Sequence, residues 1–297
     1  MERVSFQGML EGFAKAALSR QEIRDGDYTN ENGLLVCGTC GELRQRWLDP
    51  SNTKAEGLVK TEGSVLVTAS CRCDRERQAE EERQKKLQED MEAIQRLRKM
   101  SLMDEKFVNA KFESFKTNKF NEKNLKLCKR YADAFDKMVE KNQGLLMWGN
   151  VGTGKSFAAA CIANQLLSQK VPVVMTSLVK LLEAIQPNPE SETEIIAKLN
   201  RAKLVIFDDL GAERSTDYAL EKVYNIIDSR YRKNLPMILT TNLTLEEMQQ
   251  ESDMRYRRIY DRIFEVCYPM QFTGPSWRQK AAFERYEEME KLFEDDA

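Results

Sequence analysis

The sequence predicts an α/β protein in which a parallel five-stranded sheet is flanked by helices and preceded by a small cysteine-containing domain and a helical linker. Three observations predict this arrangement. After residue 106, short apolar runs alternate with helical patterns, as in strand–helix–strand units of a parallel sheet. Over residues 74–106, acidic and basic side chains alternate densely without Gly or Pro. Four of the seven cysteines lie within the first 73 residues. We therefore expect domains at 1–75 and 107–297, joined by a linker at 76–106.

Five apolar runs are the predicted strands of the sheet, at residues 145–148, 171–175, 204–207, 237–240 and 266–270. Helical patterns fill the intervals between and after them, at residues 155–168, 178–186, 193–201, 216–232, 244–250, 253–264 and 276–293. The linker reads as a solvated helix whose far end docks on the following domain. A charged spacer with no further role is the alternative reading of the same pattern.

Composition excludes several classes of site. The 297 residues contain no histidine, so Ser-His-Asp and Cys-His nucleophilic sites and HExxH metalloproteases are excluded. The net charge of −2 argues against binding to nucleic acid through bulk basicity. The sequence contains no run of about 18 apolar residues, so it does not predict a membrane-spanning helix. Seven cysteines without an export signal predict a reduced, cytoplasmic setting.

A glycine-rich loop follows the first predicted strand and precedes an apolar helical pattern. It fits G-x-x-x-x-G-K-[ST], in which backbone N–H groups cradle phosphates at a helix N-terminus. The lysine reaches the β- and γ-phosphates of a nucleoside triphosphate, and the following hydroxyl ligates Mg²⁺. The predicted phosphate-binding residues are Gly149, Asn150, Val151, Gly152, Thr153, Gly154, Lys155 and Ser156.

Two acids end the third predicted strand. Asp208 is expected to hold Mg²⁺ beside the γ-phosphate, and Asp209 stands where a water-activating base is expected. A strand-end acid that only caps the next turn is the alternative for such a position. The phosphate loop about fifty residues upstream favours the functional interpretation.

Further polar residues follow later strands. Asn242 comes just after the fourth predicted strand, where it can position an attacking water or simply cap a turn. Arg258 and Arg262 share one face of a short helix, either as a solvated basic face or as a group that reaches the γ-phosphate on a neighbouring subunit. Arg278 stands in the first turn of the last helix, where the helix dipole disfavours a cation, so contact with nucleotide is expected.

The cysteines of the first domain form the pattern C-x₂-C…C-x-C, from Cys37 and Cys40 to Cys71 and Cys73. Four thiolates suffice for a closed tetrahedral zinc site, which would also stabilise a domain too small for a large apolar core. A redox pair with two incidental thiols is the alternative.

Five motifs occur in order along the chain, GNVGTGKS, VIFDDLGAER, TTNL, RIYDRI and SWR. Together they resemble the AAA+ ATPases of the DnaC/DnaI/IstB group over about residues 95–290. The resemblance implies an AAA+ domain in which Lys155 and Ser156 belong to Walker A. It implies Walker B roles for Asp208 and Asp209.

The same resemblance implies that Asn242 is sensor 1 and that Arg278 is sensor 2. Arg262 matches the arginine finger that completes a neighbouring subunit's site, with Arg258 as its companion. Residues 177–203 match the helical insertion that faces single-stranded DNA in the initiator and loader branch. Self-association through the ATP interface follows from these roles.

The Asp208-Asp209 pair departs from the Asp-Glu found in many AAA+ ATPases. Aspartate is one methylene shorter, so an in-line water is held less well, and we expect slow, switch-like hydrolysis. Glu213 lies nearby in sequence and could compensate.

A zinc domain joined by a charged linker to such an ATPase resembles replicative helicase loaders of the DnaI/DnaC type. The resemblance implies ATP, Mg²⁺ and Zn²⁺ as cofactors. It implies a DnaB-like hexameric helicase and single-stranded DNA as partners, in a bacterial or phage-infected cell. An IstB-like transposition helper acting on duplex DNA is the alternative, and a zinc adaptor with a purely structural nucleotide site is a third possibility.

Overall fold

The computed structural model describes residues 6–49, 56–57, 60, 63–213 and 216–295. The chain divides into two compact units, Met1–Glu89 and Asp90–Ala297. Within the described residues, none of the helices combines the length and apolar character that a membrane crossing requires.

The described part of the first unit contains one helix, five short strands and the start of a long helix. Its elements are α1 Phe6–Ser19, β1 Tyr28–Thr29, β2 Leu35–Val36, β3 Gln45–Leu48, β4 Glu56–Gly57, β5 Val65–Thr68 and α2 Arg72–Met100. Strands β1 and β2 pair antiparallel, and β3 pairs antiparallel with both β4 and β5. Helix α2 continues beyond residue 89 into the second unit, where Leu97 packs against the core.

The second unit is built around five parallel strands. Its helices are α3 Glu122–Asp133, α4 Phe135–Glu140, α5 Lys155–Ser168, α6 Leu178–Ile185, α7 Ser191–Arg201, α8 Asp217–Arg232, α9 Leu245–Gln249, α10 Met254–Val266 and α11 Trp277–Asp295. Its strands are β6 Gly144–Gly149, β7 Val173–Ser177, β8 Leu204–Leu210, β9 Met237–Thr241 and β10 Cys267–Phe272. The strand order is β10-β6-β9-β8-β7, and all four pairings are parallel. This confirms the predicted α/β sheet.

Both faces of the sheet are covered, as a parallel sheet requires. Along β8, Leu204 and Ile206 join one apolar core, whereas Val205 and Phe207 join the other. All four side chains are fully buried. Helix α5 packs on the first face, and α8 and α10 pack on the second. The carboxyl ends of β6, β8 and β9 thus meet at one edge of the sheet, where the polar side chains gather.

One strand begins later than its apolar run. The run predicted at 171–175 starts as a strand only at Val173, which pairs with Leu204, and it extends to Ser177. Pro172 lacks an N–H and cannot donate to the ladder, so its carbonyl instead accepts from the backbone N–H of Lys203.

Candidate functional site

The glycine-rich loop connects β6 to α5 and forms one wall of a cavity of about 590 Å³. Gly152 and Gly154 adopt φ values of +80° and +99°, in the left-handed region that favours glycine. Eight of the predicted nucleotide-site residues line this cavity, namely Val151, Gly152, Gly154, Lys155, Ser156, Asp209, Asn242 and Arg278. Gly149, Asn150, Thr153 and Asp208 are not among the lining residues, although the first three complete the loop.

Lys155 is the first residue of α5 and is only 5% exposed. Its ammonium donates to the Gly149 and Asn150 carbonyls at 2.7 and 2.8 Å and to Oδ1 of Asn242 at 2.8 Å. Burial lowers the pKa of Lys155, and the carboxylates of Asp209 and Asp208 oppose that shift. Three acceptors therefore hold this cation at the cavity, and one of them belongs to Asn242 at the end of β9.

Helix α11 begins directly on the loop. The backbone N–H of Trp277 donates to the Gly152 carbonyl at 2.9 Å. A Cβ added to Gly152 would lie 2.1 Å from Oγ of Ser276, so only glycine permits this approach. The contact brings Trp277 and Arg278 to the cavity wall.

The two acids occupy an irregularity at the end of β8. The register between β8 and β9 shifts between Phe207 and Leu210, so Asp208 and Asp209 form a bulge. Asp209 has φ of +58°, in the left-handed region that non-glycine residues seldom adopt. Its carboxylate lines the cavity, and burial, followed by the charge of Asp208, raises the pKa of Asp209.

Glu213 does not reach the cavity. Its carboxylate accepts from the backbone N–H of Gly211 at 2.8 Å, and it is absent from the cavity lining. Burial raises the pKa of Glu213. This geometry gives no support to Glu213 as a substitute for a longer Walker B acid.

Arg258 and Arg262 on α10 differ in their surroundings, and neither lines the cavity of its own chain. The Arg262 guanidinium pairs with Asp228 at 2.7 Å, donates to the Tyr224 hydroxyl at 2.8 Å and lies over the Tyr224 ring. Arg258 is exposed. Arg262 is therefore held within its own chain, whereas the Arg258 side chain faces solvent.

The four cysteines of the first unit come together. Their Sγ atoms all lie within 4.8 Å of one another. In a zinc tetrathiolate, Zn–S bonds of about 2.3 Å place the sulfur atoms about 3.8 Å apart. Cys37 and Cys71 are buried, and Cys40 and Cys73 are partly buried. The donor set and its spacing fit a zinc ion.

Close backbone packing supports this centre. A Cβ on Gly38 would lie 2.0 Å from the Gly26 carbonyl oxygen, which explains the glycine between the first two cysteines. The last two cysteines flank and enter the first turn of α2, where the helix N-terminus favours thiolates.

A charged network surrounds the centre. Asp74 accepts from the Cys71 thiol at 3.3 Å and pairs with Arg24 and Arg44. Arg44 also pairs with Asp27, whose carboxylate accepts from the backbone N–H of Gly38 in the cysteine turn. The Arg44 and Asp27 side chains are only 5% and 2% exposed. Ion pairs thus connect the cysteine turn to the start of α2.

Several residues of the cavity lie outside the motifs. Phe107 and Phe115 supply an apolar wall, and Lys106 adds a cation. Trp277, which belongs to the SWR motif, adds a third aromatic side chain. Phe107 and Phe115 precede the first strand of the sheet, and their distance from the loop in sequence hides their proximity in space. Thr240, the first residue of the TTNL motif, contacts both Asp208 and Asp209, and the motif alone does not predict these contacts.

Comparisons with known proteins show what this chain resembles. The replicative helicase loader DnaI of Bacillus subtilis (strain 168) is 24% identical over 151 residues, which cover 46% of this chain and 48% of DnaI. The replicative helicase loader DnaC of Escherichia coli (strain K12) is 25% identical over 160 residues, which cover 52% of this chain and 63% of DnaC. The matches thus span less than two thirds of these relatives.

Solved structures share the fold. A crystal structure of DnaI superposes with a TM-score of 0.51 at 24% identity, covering 60% of this chain and 98% of that one. A crystal structure of the DnaC helicase loader superposes with a TM-score of 0.50 at 20% identity, covering 57% and 100%. The family model described as IstB-like ATP binding protein matches residues 69–284, which is more than half of the chain. The chain therefore belongs to the IstB-like ATP-binding protein family.

Proposed function

We propose that this protein is an ATP-dependent loader that binds a DnaB-like replicative helicase and helps deposit it on single-stranded DNA. The observation that carries the proposal is the nucleotide cavity, in which Lys155, Asp209, Asn242 and Arg278 converge. Membership of an ATP-binding family and the likeness to DnaI and DnaC, both named as replicative helicase loaders, support it.

In this proposal ATP occupies the cavity with its phosphates on the loop. Lys155 pairs with the β- and γ-phosphates, and the Ser156 hydroxyl and the Asp208 carboxylate hold Mg²⁺ with the oxygen ligands it prefers. Mg²⁺, when bound, neutralises charge on the phosphate oxygens. Asp209 and Asn242 position the attacking water. The short side chain of Asp209 makes hydrolysis slow, so occupancy of the site acts as a switch.

A second copy of the chain completes the site. Arg262 acts on the ATP of the neighbouring subunit, with Arg258 beside it, whereas Arg278 contacts the nucleotide of its own chain. Arginine suits both tasks because its planar guanidinium matches phosphate oxygens. Assembly through this interface aligns the helical insertion, residues 177–203, along single-stranded DNA.

The first unit binds Zn²⁺ through Cys37, Cys40, Cys71 and Cys73, and it contacts the helicase. The metal fixes the fold of a unit in whose described part few apolar side chains are buried. The helicase-binding surface therefore depends on the cysteine centre, whereas ATP binding does not.

The full chain should retain a purified DnaB-like hexamer from the same host on an affinity matrix. Single-stranded DNA should join this complex only with ATP. Lys155→Ala is the matched control, because it should keep the helicase and lose the ATP dependence of DNA binding. If the chain retained no helicase either with or without ATP, the proposal would be wrong.

An IstB-like transposition helper remains the second candidate, because the matching family is named for IstB. This candidate predicts ATP-dependent filaments on duplex DNA and retention of a transposase. The same matrix, loaded with duplex DNA and then with host lysate, distinguishes the two functions by the partner identified.

A further inference from the structure

Two consecutive threonines end β9, next to the bulge of β8. Thr240 and Thr241 both have no exposed surface. A buried hydroxyl must find partners within the protein, because an unpaired polar group is costly to bury. The partners of the two hydroxyls are different, and this difference carries the inference.

The Thr240 hydroxyl lies between the two acids of Walker B. It donates to Oδ1 of Asp208 at 2.7 Å, and it accepts from the backbone N–H of Asp209 at 2.9 Å. A hydroxyl has only one hydrogen to donate. Since the Asp209 N–H occupies one acceptor position, that hydrogen is directed to the Asp208 carboxylate.

The bulge needs such a contact. Asp209 has φ of +58°, a backbone conformation that costs free energy for a residue with a side chain. The shift in register also removes the regular β8–β9 ladder between Phe207 and Leu210. The Thr240 hydroxyl supplies the acceptor that the Asp209 N–H requires at this point.

We propose that Thr240 is a positioning residue for Mg²⁺ and for the attacking water. Its hydroxyl fixes Oδ1 of Asp208, which leaves the second carboxylate oxygen of Asp208 for the metal. Through the Asp209 N–H it stabilises the bulge that directs the Asp209 carboxylate into the cavity. Thr240 itself is not among the cavity-lining residues, so it acts through the two acids. The inference rests on the proposed ATP-dependent function and deepens it.

Thr241 offers a matched control. Its hydroxyl donates to the Leu210 carbonyl at 2.8 Å and accepts from the backbone N–H of Leu243 at 3.1 Å. It is equally buried, on the same strand, and makes the same number of hydrogen bonds. Neither of these bonds involves Asp208 or Asp209.

The test measures binding of a fluorescent ATP analogue to the full chain, once with Mg²⁺ and once with EDTA. The ratio of the two dissociation constants gives the gain in affinity that Mg²⁺ confers. Thr240→Val should reduce this gain about tenfold, the effect of losing one hydrogen bond to a charged group. Its affinity in EDTA should stay within about twofold of the wild type.

Thr240→Ser keeps the hydroxyl and should restore the gain, and Thr241→Val should leave it unchanged. If Thr240→Val does not fold, Thr240→Ala takes its place, because it removes the hydroxyl without adding volume. An unchanged gain in both hydroxyl-free variants would overturn the proposal, as would an equal loss in Thr241→Val.

Hydrogen exchange of the Asp209 amide in the nucleotide-free protein separates this inference from the proposed function. Thr240→Val should lose the protection of this amide, whereas Thr240→Ser and Thr241→Val should keep it. A wild-type chain that binds no ATP analogue would overturn the ATP-dependent function and the metal role, while amide exchange would still decide whether Thr240 holds the bulge. An unprotected Asp209 amide in the wild type would overturn the inference even if ATP binds.

Discussion

The unit Met1–Glu89 and the unit Asp90–Ala297 bury different kinds of side chain. Within the described part of the first unit, the buried apolar residues apart from cysteine are few and all aliphatic, namely Ala14, Leu34, Leu35, Val36 and Val65. Arg44 and Asp74 are buried beside them. In the second unit, two apolar cores cover opposite faces of one sheet.

The difference shows two ways of stabilising a fold. A small unit buries too little apolar surface to be stable through the hydrophobic effect alone. Interactions among its cysteines, acids and arginines therefore contribute a larger share of its stability. A large unit with two cores tolerates the loss of single polar contacts. We therefore expect the two units to respond differently to the same kind of substitution.

The largest effect is expected from the cysteine centre. Cys40→Ser removes one of four thiolates, and the first unit should lose bound zinc and its cooperative unfolding transition, because metal binding and folding are coupled. Elemental analysis and calorimetry are the measurements. The transition of the second unit should stay in place. The wild-type protein should be purified without chelator. If it contained no zinc and still showed an unfolding transition for each unit, the proposed difference between the two units would be wrong.

The phosphate loop should give the next largest effect. Lys155→Ala removes a cation that pairs with two phosphates, and the affinity for an ATP analogue should fall about 100-fold. Fluorescence titration measures it. Zinc content should stay at one ion per chain, because the cysteine centre lies in the other unit. A parallel loss of zinc would show that the two sites are not independent.

Arg44 tests the polar network of the first unit. Arg44→Met leaves Asp27 and Asp74 without their shared partner, which should lower the free energy of unfolding of this unit by about 3 kcal/mol. Chemical denaturation followed by the fluorescence of Trp47 measures the change. Arg75→Met is the control, because Arg75 pairs with Glu42 at the surface and should cost less than about 1 kcal/mol.

Arg262 tests a polar contact in the second unit. Arg262→Ala should leave binding of an ATP analogue by the monomer nearly intact and abolish ATP-dependent assembly, measured by light scattering. It should also cost about 1–2 kcal/mol of stability, since the pair with Asp228 is lost.

Asp228→Asn is the matched control for Arg262, because it weakens the same pair and keeps the guanidinium. It should reduce stability and preserve assembly. Loss of assembly in both variants would assign Arg262 a structural role. A mixture of Arg262→Ala with Lys155→Ala should recover some ATPase activity, since one interface then contains a complete site.

The smallest effect is expected at Asp209. Asp209→Glu lengthens the acid by one methylene and should raise ATP turnover several-fold at unchanged ATP affinity, if the short side chain limits hydrolysis. Phosphate release under steady-state conditions measures it. Turnover that falls or stays flat would refute the explanation that we give for slow hydrolysis.

Local patterns predicted the sheet because each strand is an apolar run with buried residues on both faces. The start of β7 differed because Pro172 has no N–H to donate to the ladder, an effect that apolar content does not reveal. The loop residues were predictable because their chemistry depends on neighbours in sequence. The partners of Thr240 and Arg262 come from 31 to 38 residues away, and no spacing rule connects them.

The first residue of α11 is hydrogen-bonded to the phosphate loop, and this has a mechanical consequence. Nineteen helical residues extend about 28 Å, so a small rotation at the start of α11 corresponds to a larger displacement at its far end. If the Gly152 carbonyl tilts by about 5° as phosphate arrives, the far end of such a rod sweeps about 2.5 Å. Because the backbone N–H of Trp277 is bonded to the Gly152 carbonyl, such a movement of the loop would displace the far end of α11 more than its start.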